Sequence, residues 1–212
     1  MNNTEKAQAW FEPGSHRLRP VVLEGRFVRL LPMQPAHAPA LAQAGSDPKI
    51  WTWYPFPPEL NGEGFTKLVK EALNGWEAGK ELPFVTTEKA GGRVVGSTRY
   101  LNVDALNRRL EIGWTWLHPS AQGTQVNPEA KYLMLQYAFE TLGCNRVEFK
   151  TDSLNEKSRG ALLKLGAVEE GTLRNHMTTS TGRLRHSVYF SIISEEWLSV
   201  KRKLEKRLGL KE

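Results

Sequence analysis

A segment in the middle of the chain has the residue types of an anion-binding loop. An apolar strand pattern that ends at Leu117 is followed by a stretch of small and polar residues and then by a helical pattern. The start of a helix presents unpaired N–H groups and the positive end of the helix dipole, so a loop there can hold phosphate oxygens. The loop consists of Gln122, Gly123, Thr124, Gln125 and Val126, with Asn127 as the expected cap and Pro128 at the first helical position.

This loop predicts a diphosphate ligand, and the alternative is a capped helix with no ligand. It is not a Walker-type loop, because no Gly-Lys-Ser/Thr follows, and the chain has no Gly-x-Gly-x-x-Gly pattern. A second polar segment follows the next strand pattern. Ser153 and Glu156 have the spacing of a capping box, with Asn155 as an alternative cap, so a helix is expected to begin there. Taken alone, this helix could be only a well-capped surface helix.

The hydrophobic patterns supply the strands and helices that must position these segments. Residues 1–20 have no sustained periodicity and read as an arm that leads into the domain. The expected strands are Val21 to Leu31, Leu82 to Thr87, Val94 to Val103, Arg109 to Leu117, Arg146 to Thr151 and two more that meet at Ser180-Thr181-Gly182. The expected helices are 36–45, Gly64 to about Ala78, Asn127 to Leu142, Asn155 to Leu165 and Ser194 to Leu208. This order predicts an α+β domain with an antiparallel meander followed by a crossover.

Composition narrows the classes of protein that fit. A chain of 212 residues with 40% hydrophobic and 25% charged residues is typical of one globular domain, and no apolar run is long enough for a membrane helix. Nothing at the N-terminus resembles a secretory signal, so a cytoplasmic location is expected. Cys144 is the only cysteine and reads as a small buried residue, and the histidines lack metal-ligand spacing, so no metal is expected.

Taken together, the two polar segments carry a resemblance to a known family. The matching residues are Glu111-Ile-Gly-Trp-Thr-Trp-Leu, then Gln122-Gly123 before a helix, and Asn155-Glu-Lys-Ser158 leading to Lys164-Leu-Gly-Ala-Val-Glu-Glu-Gly171. In this order and spacing they resemble the GNAT acetyltransferases, in particular the RimJ/RimL-like branch that acts on ribosomal proteins. The resemblance covers residues 21–197, so we expect an arm at 1–20, the acyl-CoA N-acyltransferase domain at 21–197 and a basic helix at 198–212.

The resemblance implies a fold and a cosubstrate. The fold would be a mixed, mostly antiparallel sheet of about seven strands, splayed in the middle and flanked by helices. Acetyl-CoA would place its pyrophosphate on Gln122 to Asn127 and its pantetheine arm along the strand edge at Trp116 and Leu117, with the thioester in the splay. Two departures from the family pattern stand out. In the loop, Gln125 replaces a glycine and Asn127 replaces a small residue, which bears on the shape of the loop and on CoA affinity. In the second segment, Leu162 replaces a tyrosine thought to protonate the thiolate.

The same resemblance implies roles for three side chains. Glu111 would draw the amine proton through water, Ser158 would stabilise the departing thiolate by a hydrogen bond, and Asn155 would orient CoA or the serine. Main-chain N–H groups at the splay would hold the carbonyl oxygen. The alternatives without a catalytic role are a solvated strand carboxylate for Glu111 and an ordinary serine in the first turn of a helix for Ser158.

The acceptor is expected to be a primary amine, either a protein N-terminus or a small molecule. An α-amine titrates near pH 8, against about 10.4 for lysine, so it demands less of a general base. Its wall is expected from Trp51, Trp53 and Tyr54 in an aromatic loop and from His176 in the hairpin, although the aromatic residues fit a core equally well. The sequence leaves dimerisation open, and a homodimer fits the family.

Two functions of other classes also fit parts of the sequence. A non-catalytic CoA-binding sensor or interaction module would explain both the altered loop and the missing tyrosine. A nucleic-acid-binding protein would explain the net charge of +6. Much of that excess lies in residues 201–211, which lack the interleaved aromatic residues of a single-strand binder, so nucleic acid is disfavoured.

Overall fold

The computed structural model describes residues 10–12 and 15–210. Eight strands form the sheet: β1 Leu23–Glu24, β2 Val28–Pro32, β3 Leu82–Glu88, β4 Val94–Asp104, β5 Arg109–Leu117, β6 Arg146–Asp152, β7 Val168–Thr178 and β8 Leu184–Ile193. Five α-helices flank it: α1 Ala38–Ala44, α2 Gly62–Glu77, α3 Val126–Gln136, α4 Glu156–Leu165 and α5 Ser194–Leu208. A π-helical turn, Tyr137–Thr141, continues α3.

The sheet changes character at its centre. The strand order is β1-β2-β3-β4-β5-β6-β8-β7, and every neighbouring pair is antiparallel except β5 and β6. Those two strands are parallel and pair only from Arg109 to Glu111, opposite Arg146 to Glu148. Beyond Glu111 no β5 residue pairs with β6, so the sheet opens there into a space that we call the β5–β6 gap.

The two faces of the sheet are covered by different hydrophobic clusters. On one face, α1, α2 and the turn at Trp51 pack against β3 and β5 through Phe65, Val85 and Trp116. On the other face, α3 and α5 bury a larger cluster that includes Tyr100, Ile112, Met134 and Phe190. Trp10 and Leu18 belong to this larger cluster, so residues on the N-terminal side of β1 contribute to the core.

The predicted architecture is confirmed, with local differences. The run predicted as one strand from Val21 to Leu31 forms two, because the carboxylate of buried Glu129 accepts hydrogen bonds from the N–H groups of Arg26, Phe27 and Val28 and fixes a turn there. A Cβ atom at Gly25 would lie 2.4 Å from the Glu129 carboxylate carbon, so glycine makes this clamp possible. The sheet therefore has one strand more than expected.

The remaining elements match closely. β5 and α5 have the predicted bounds, and most others differ by one or two residues. The 197/198 boundary proposed from sequence falls inside α5, whose residues Trp197, Val200 and Leu204 pack into the core. Within the part of the chain that the structure describes, no helix is long and apolar enough to cross a membrane.

Candidate active site

Four main-chain N–H groups in the loop between β5 and α3 are not paired with any described residue. Among the described residues, no acceptor bonds the N–H groups of Gly123, Thr124, Gln125 or Asn127. Gly123 has φ +77°, whereas Gln125 has φ −75°, a value that any residue adopts. The side chain at position 125 therefore does not force the loop into strain, although the family pattern has glycine there. Free N–H groups at a helix start can bind an anion. We call residues 123–127 the anion seat, as the candidate site for a diphosphate.

Asn127 does not cap the helix as predicted. The helix begins one residue earlier, at Val126, because the hydroxyl of Thr124 accepts the Val126 N–H at 3.2 Å while donating to the carbonyl oxygen of Ala121 at 2.8 Å. Asn127 lies in the first turn, and its side-chain Oδ1 is buried without a hydrogen-bond partner. This oxygen accepts hydrogen bonds, so a ligand hydroxyl or N–H group can satisfy it and a phosphate oxygen cannot.

Gln122 links the loop to the second polar segment. Its side-chain N–H donates to the Leu117 carbonyl oxygen at 2.9 Å, and its Oε1 accepts from Lys157 Nζ on α4 at 2.6 Å. The side chains of Trp116 and Leu117 are buried in the clusters on opposite faces of the sheet. Their main chain therefore borders the β5–β6 gap, and the role predicted for it in holding a pantetheine arm stays a prediction.

A bulge in β5 shapes the gap. Opposite Thr98 of β4, β5 has two residues, Trp114 and Thr115, and Trp114 has φ +48°. Such bulges redirect backbone groups at functional sites. The ring of Tyr54 lies 4.9 Å from that of Trp114, and its hydroxyl is 3.4 Å from the Trp114 carbonyl oxygen. Because alternate backbone groups of a strand face opposite neighbours, the β5 groups that would pair with β6 face the gap instead.

A buried lysine supports the bulge from the α3 side. Lys131 Nζ donates to Thr115 Oγ1 at 2.7 Å and lies 3.4 Å from Thr98 Oγ1, and no described carboxylate pairs with it. Burial lowers the pKa of Lys131 to about 7. This side chain therefore ties the helix that carries the anion seat to the strand that borders the gap.

Glu111 lies where β5 and β6 part and is almost fully buried, with 2% of its surface exposed. Its Oε2 accepts from Asn102 Nδ2 at 2.8 Å and lies 3.6 Å from Lys150 Nζ on β6. Burial raises the pKa of Glu111, while Lys150 and then Asn102 act in the opposite direction. A Cβ atom at position 113 would lie 3.0 Å from Glu111 Oε1, so Gly113 leaves room for the carboxylate. Glu111 is therefore buried and fixed by Asn102 and Lys150, and the alternative prediction of a solvated strand carboxylate is wrong.

Sequence reasoning missed several polar residues around Glu111. Asn102 adopts φ +50°, which asparagine tolerates better than most residues, and so reaches across from β4. On β6, Lys150 and buried Asp152 are two residues apart and so lie on the same face of the sheet. Arg183, just before β8, and Arg185 on β8 both contact Asp152. The period-two alternation of β6 is the signal that could have indicated Lys150 and Asp152.

The second polar segment forms the start of α4. Asn155 is its N-cap and accepts the Ser158 N–H at 3.0 Å, so Asn155 orients the first turn that carries Ser158. The Ser158 hydroxyl is half-buried and makes no hydrogen bond with a described residue. Leu162, at the position where the family has a tyrosine, is buried in the core. This position therefore has no group that could protonate the thiolate.

Of the residues predicted to form the acceptor wall, one is buried in the core and the others are partly or fully exposed. Trp51 is buried and packs on Trp116 with ring centroids 5.1 Å apart, whereas Trp53 is exposed and lies near Arg183. Tyr54 is half-buried, and burial raises its pKa. His176 on β7 hydrogen-bonds Ser187 at 3.0 Å, and burial, followed by Lys150 and Arg185, lowers its pKa.

A cavity of about 370 Å³ separates the aromatic loop from the β7–β8 turn. Trp51, Tyr54, Ser180 and Arg183 are among its lining residues. The Ser180 N–H donates to the Pro55 carbonyl oxygen at 2.9 Å and so connects the two sides. Two residues of the predicted acceptor wall, Trp51 and Tyr54, therefore line this cavity. Within residues 10–12 and 15–210, no group of three or more His, Cys, Asp or Glu side chains could hold a metal ion.

Comparisons with known proteins agree with this geometry. The family model of the acetyltransferase (GNAT) domain matches residues 28–168. YdaF of Bacillus subtilis (strain 168), provisionally named a ribosomal N-acetyltransferase, is 34% identical over 125 residues, which are 59% of this chain and only 63% of YdaF. The structure of a GCN5-related N-acetyltransferase from Brucella melitensis is similar with a TM-score of 0.84 and 30% identity, over 91% of this chain and 87% of that chain.

A more distant structure is similar in fold. Mycobacterium smegmatis RimJ in complex with CoA-disulfide has a TM-score of 0.76 and 22% identity, over 89% of this chain and 95% of that chain. The name of YdaF supports the RimJ/RimL-like branch, and the similarity to RimJ at this identity shows the fold alone. The match of the GNAT domain over more than half of the residues, on a sheet that parts at its centre, shows that this chain belongs to the GNAT acetyltransferase family.

Proposed function

We propose that this protein transfers an acetyl group from acetyl-CoA to a primary amine by direct attack. The observation that carries the proposal is the parting of β5 and β6 immediately beyond Glu111, with a free anion seat at the far end of β5. A long ligand with a diphosphate at one end and a thioester at the other fits these two features. The residues present therefore suit acetyl-CoA, which supplies the activated acetyl group.

The side chains around the gap have the chemistry that the transfer needs. Glu111 is a buried carboxylate with a raised pKa, which makes it a better proton acceptor than an exposed glutamate, and it takes the amine proton through water. Unpaired N–H groups of β5 stabilise the oxygen charge that develops on the acetyl carbonyl. The free hydroxyl of Ser158 donates a hydrogen bond to the thiolate as it leaves. Asn155 positions Ser158 through the first turn of α4.

The acceptor in this proposal is an α-amine at a protein N-terminus or on a small molecule. An α-amine with a pKa near 8 is partly neutral at physiological pH, so one buried carboxylate is a sufficient base. The name of YdaF refers to a ribosomal N-acetyltransferase, which favours a protein N-terminus. The space between Tyr54 and the β7–β8 turn is the proposed entrance.

The non-catalytic alternative loses part of its basis. It depended on the altered loop and the missing tyrosine, and Gln125 adopts a backbone conformation that requires no glycine. No observation in the structure favours a sensor over an enzyme. The two functions still differ in one measurable outcome, which is turnover.

Release of CoA thiol from acetyl-CoA with a panel of peptides and small amines tests the proposal. We expect amine-dependent thiol release and a product heavier than the amine by one acetyl group in mass spectrometry. Titration of CoA by calorimetry on the same preparation shows that the protein is folded and competent to bind. Binding of CoA without thiol release from any amine would support the sensor and contradict acetyl transfer.

A further inference from the structure

Two buried carboxylates, Glu111 of β5 and Asp152 of β6, are paired with three cations between them. Glu111 is paired with Lys150, and Asp152 is paired with two arginines at once: Arg183 contacts its Oδ2, and Arg185 Nε lies 3.8 Å from the same oxygen. The side chain of Asp152 is fully buried. Two carboxylates thus face three cations on this side of the sheet.

Of the three cations, Arg185 is the one whose side chain has a buried nitrogen without a hydrogen-bond partner. Its side chain is 7% exposed, and its buried Nε has no hydrogen-bond partner. No described residue accepts a hydrogen bond from its guanidinium group. Burial lowers the pKa of Arg185, with Asp152 opposing that effect, so the structure places this charge where water solvates it poorly. A buried guanidinium in this state is stabilised when an anion binds beside it.

The carboxylates that act on Arg185, Asp152 and then Glu111, are both shared with other cations. Arg99, the other buried arginine on this side of the sheet, pairs with Glu81 at 2.8 Å. Burial and nearby Lys150 and Arg185 lower the pKa of His176, and an imidazole supplies no negative charge in either protonation state. Arg183 also lines the cavity beside Tyr54, so the cations extend from the cavity wall toward Glu111.

We infer that the acceptor carries a carboxylate close to its primary amine, with the carboxylate bound by Arg185 and Arg183 and the amine facing Glu111. The inference rests on the proposed acetyl transfer and adds the chemical class of the acceptor. The carboxylate supplies the second anion that the arginines lack, and the nearby cations disfavour a protonated amine at the same place. Two sources carry this chemistry: a small amino acid, and a protein N-terminus with an acidic residue next to the first.

Matched acceptors test the inference in both sources. Isoglutamine is compared with glutaminamide, which has the same α-amine but an amide in place of the side-chain carboxylate. The peptide Ser-Asp-Ala-Ala amide is compared with Ser-Asn-Ala-Ala amide, and kcat/KM is measured from thiol release in both cases. Within at least one pair, the acidic member should be favoured about tenfold or more, the size of one charge-assisted hydrogen bond. The pair that shows the preference identifies the source.

The variant Arg185→Gln should reduce that preference by about tenfold, mainly through the KM of the acidic acceptor, with the KM of acetyl-CoA within about twofold. Arg185→Lys should restore part of the preference, because it keeps the charge. Arg202→Gln is the matched control, since Arg202 is exposed on α5. If Arg185→Gln does not fold, as judged by its melting temperature, Arg183→Gln replaces it.

Equal rates for the acidic and neutral members of both pairs would overturn the inference, as would an unchanged preference in Arg185→Gln. If no amine is turned over, the proposed function fails and the inference is decided by binding. Ligand-observed NMR with the same four compounds, in the presence of CoA, should then show binding of an acidic member that Arg185→Gln removes. Absence of that difference would contradict the inference separately from the enzymatic activity.

Discussion

The anion seat and the β5–β6 gap lie along the same strand and are built in different ways. The seat consists of consecutive residues, Gly123 to Asn127, and its donors are main-chain N–H groups. The gap is lined by side chains from four strands, among them Asn102, Glu111 and Lys150. In the seat we expect the backbone conformation to determine ligand binding, so many side chains should be tolerated. In the gap we expect the identity and charge of each side chain to determine activity.

The largest effect is expected at Glu111. Glu111→Gln keeps the shape of the side chain but removes the base, so kcat should fall by about a hundredfold, the contribution typical of a positioned base. The KM of acetyl-CoA should stay within about twofold, because Glu111 is not part of the seat. Steady-state kinetics measures both, with Glu88→Gln, a β3 carboxylate paired with Arg93, as the control. Equal losses in kcat and acetyl-CoA binding would remove Glu111 from its proposed role.

Lys131 connects the two regions, and its burial should make the free energy of unfolding depend on pH. The unfolded lysine has a pKa of 10.5 and the folded one about 7. Between these values the unfolded chain holds the extra proton, so the wild type gains stability as pH rises. Lys131→Met lacks this gain, and its free energy of unfolding relative to wild type should fall by up to about 2 kcal/mol between pH 7.5 and pH 9. Urea unfolding at both pH values measures it.

Lys203→Met serves as the control for Lys131→Met, because Lys203 is exposed on α5. Its stability difference from wild type should not depend on pH in this range. The same pH-independent behaviour in Lys131→Met would mean that Lys131 is not a desolvated lysine beneath the bulge.

A smaller effect separates two positions of the seat. Gly123 has φ +77°, so Gly123→Ala places a side chain in a conformation that costs about 1 kcal/mol and should raise the KM of acetyl-CoA about fivefold. Gln125→Gly should change that KM by less than about twofold, since φ at residue 125 is already negative. A large gain in affinity from Gln125→Gly would show that the family glycine matters here for another reason.

The smallest effect is a displacement of the pH profile. Activity requires the ionised form of Glu111, so kcat/KM should fall as pH falls through a pKa above the ordinary 4.5. Lys150 lowers that pKa, so Lys150→Met should move the acidic limb to higher pH, and Lys150→Arg should largely preserve it. The other charged groups that act on Glu111, namely Glu148 and Arg185, remain in place. If the acidic limb of the profile did not move in Lys150→Met, that limb could not be assigned to the ionisation of Glu111.

The same contrast explains what the sequence could reveal. The β5–loop–α3 segment was predictable because its strand pattern, small residues and helix start are adjacent in the chain. The capped start of α4 was predictable for the same reason, and Asn155 is indeed its cap. Glu111 was identified only through the family resemblance, since one glutamate in a strand has no local signature.

The residues that the sequence did not reveal are brought together by strand pairing. Asn102 reaches Glu111 through a left-handed backbone conformation, and Arg185 reaches Asp152 through the register that pairs Asp152 with Ser187. Neither a register nor a positive φ at a non-glycine residue can be read from spacing alone. The turn between β1 and β2 was missed similarly, because Glu129, which fixes it, lies about a hundred positions away.

A crystal structure of the protein with CoA tests the central claim most directly. The account predicts diphosphate oxygens within hydrogen-bond distance of the N–H groups of Gly123, Thr124, Gln125 and Asn127, with the sulfur in the β5–β6 gap between Ser158 and Glu111. A coenzyme bound elsewhere, or strands β5 and β6 paired along their full length, would contradict it.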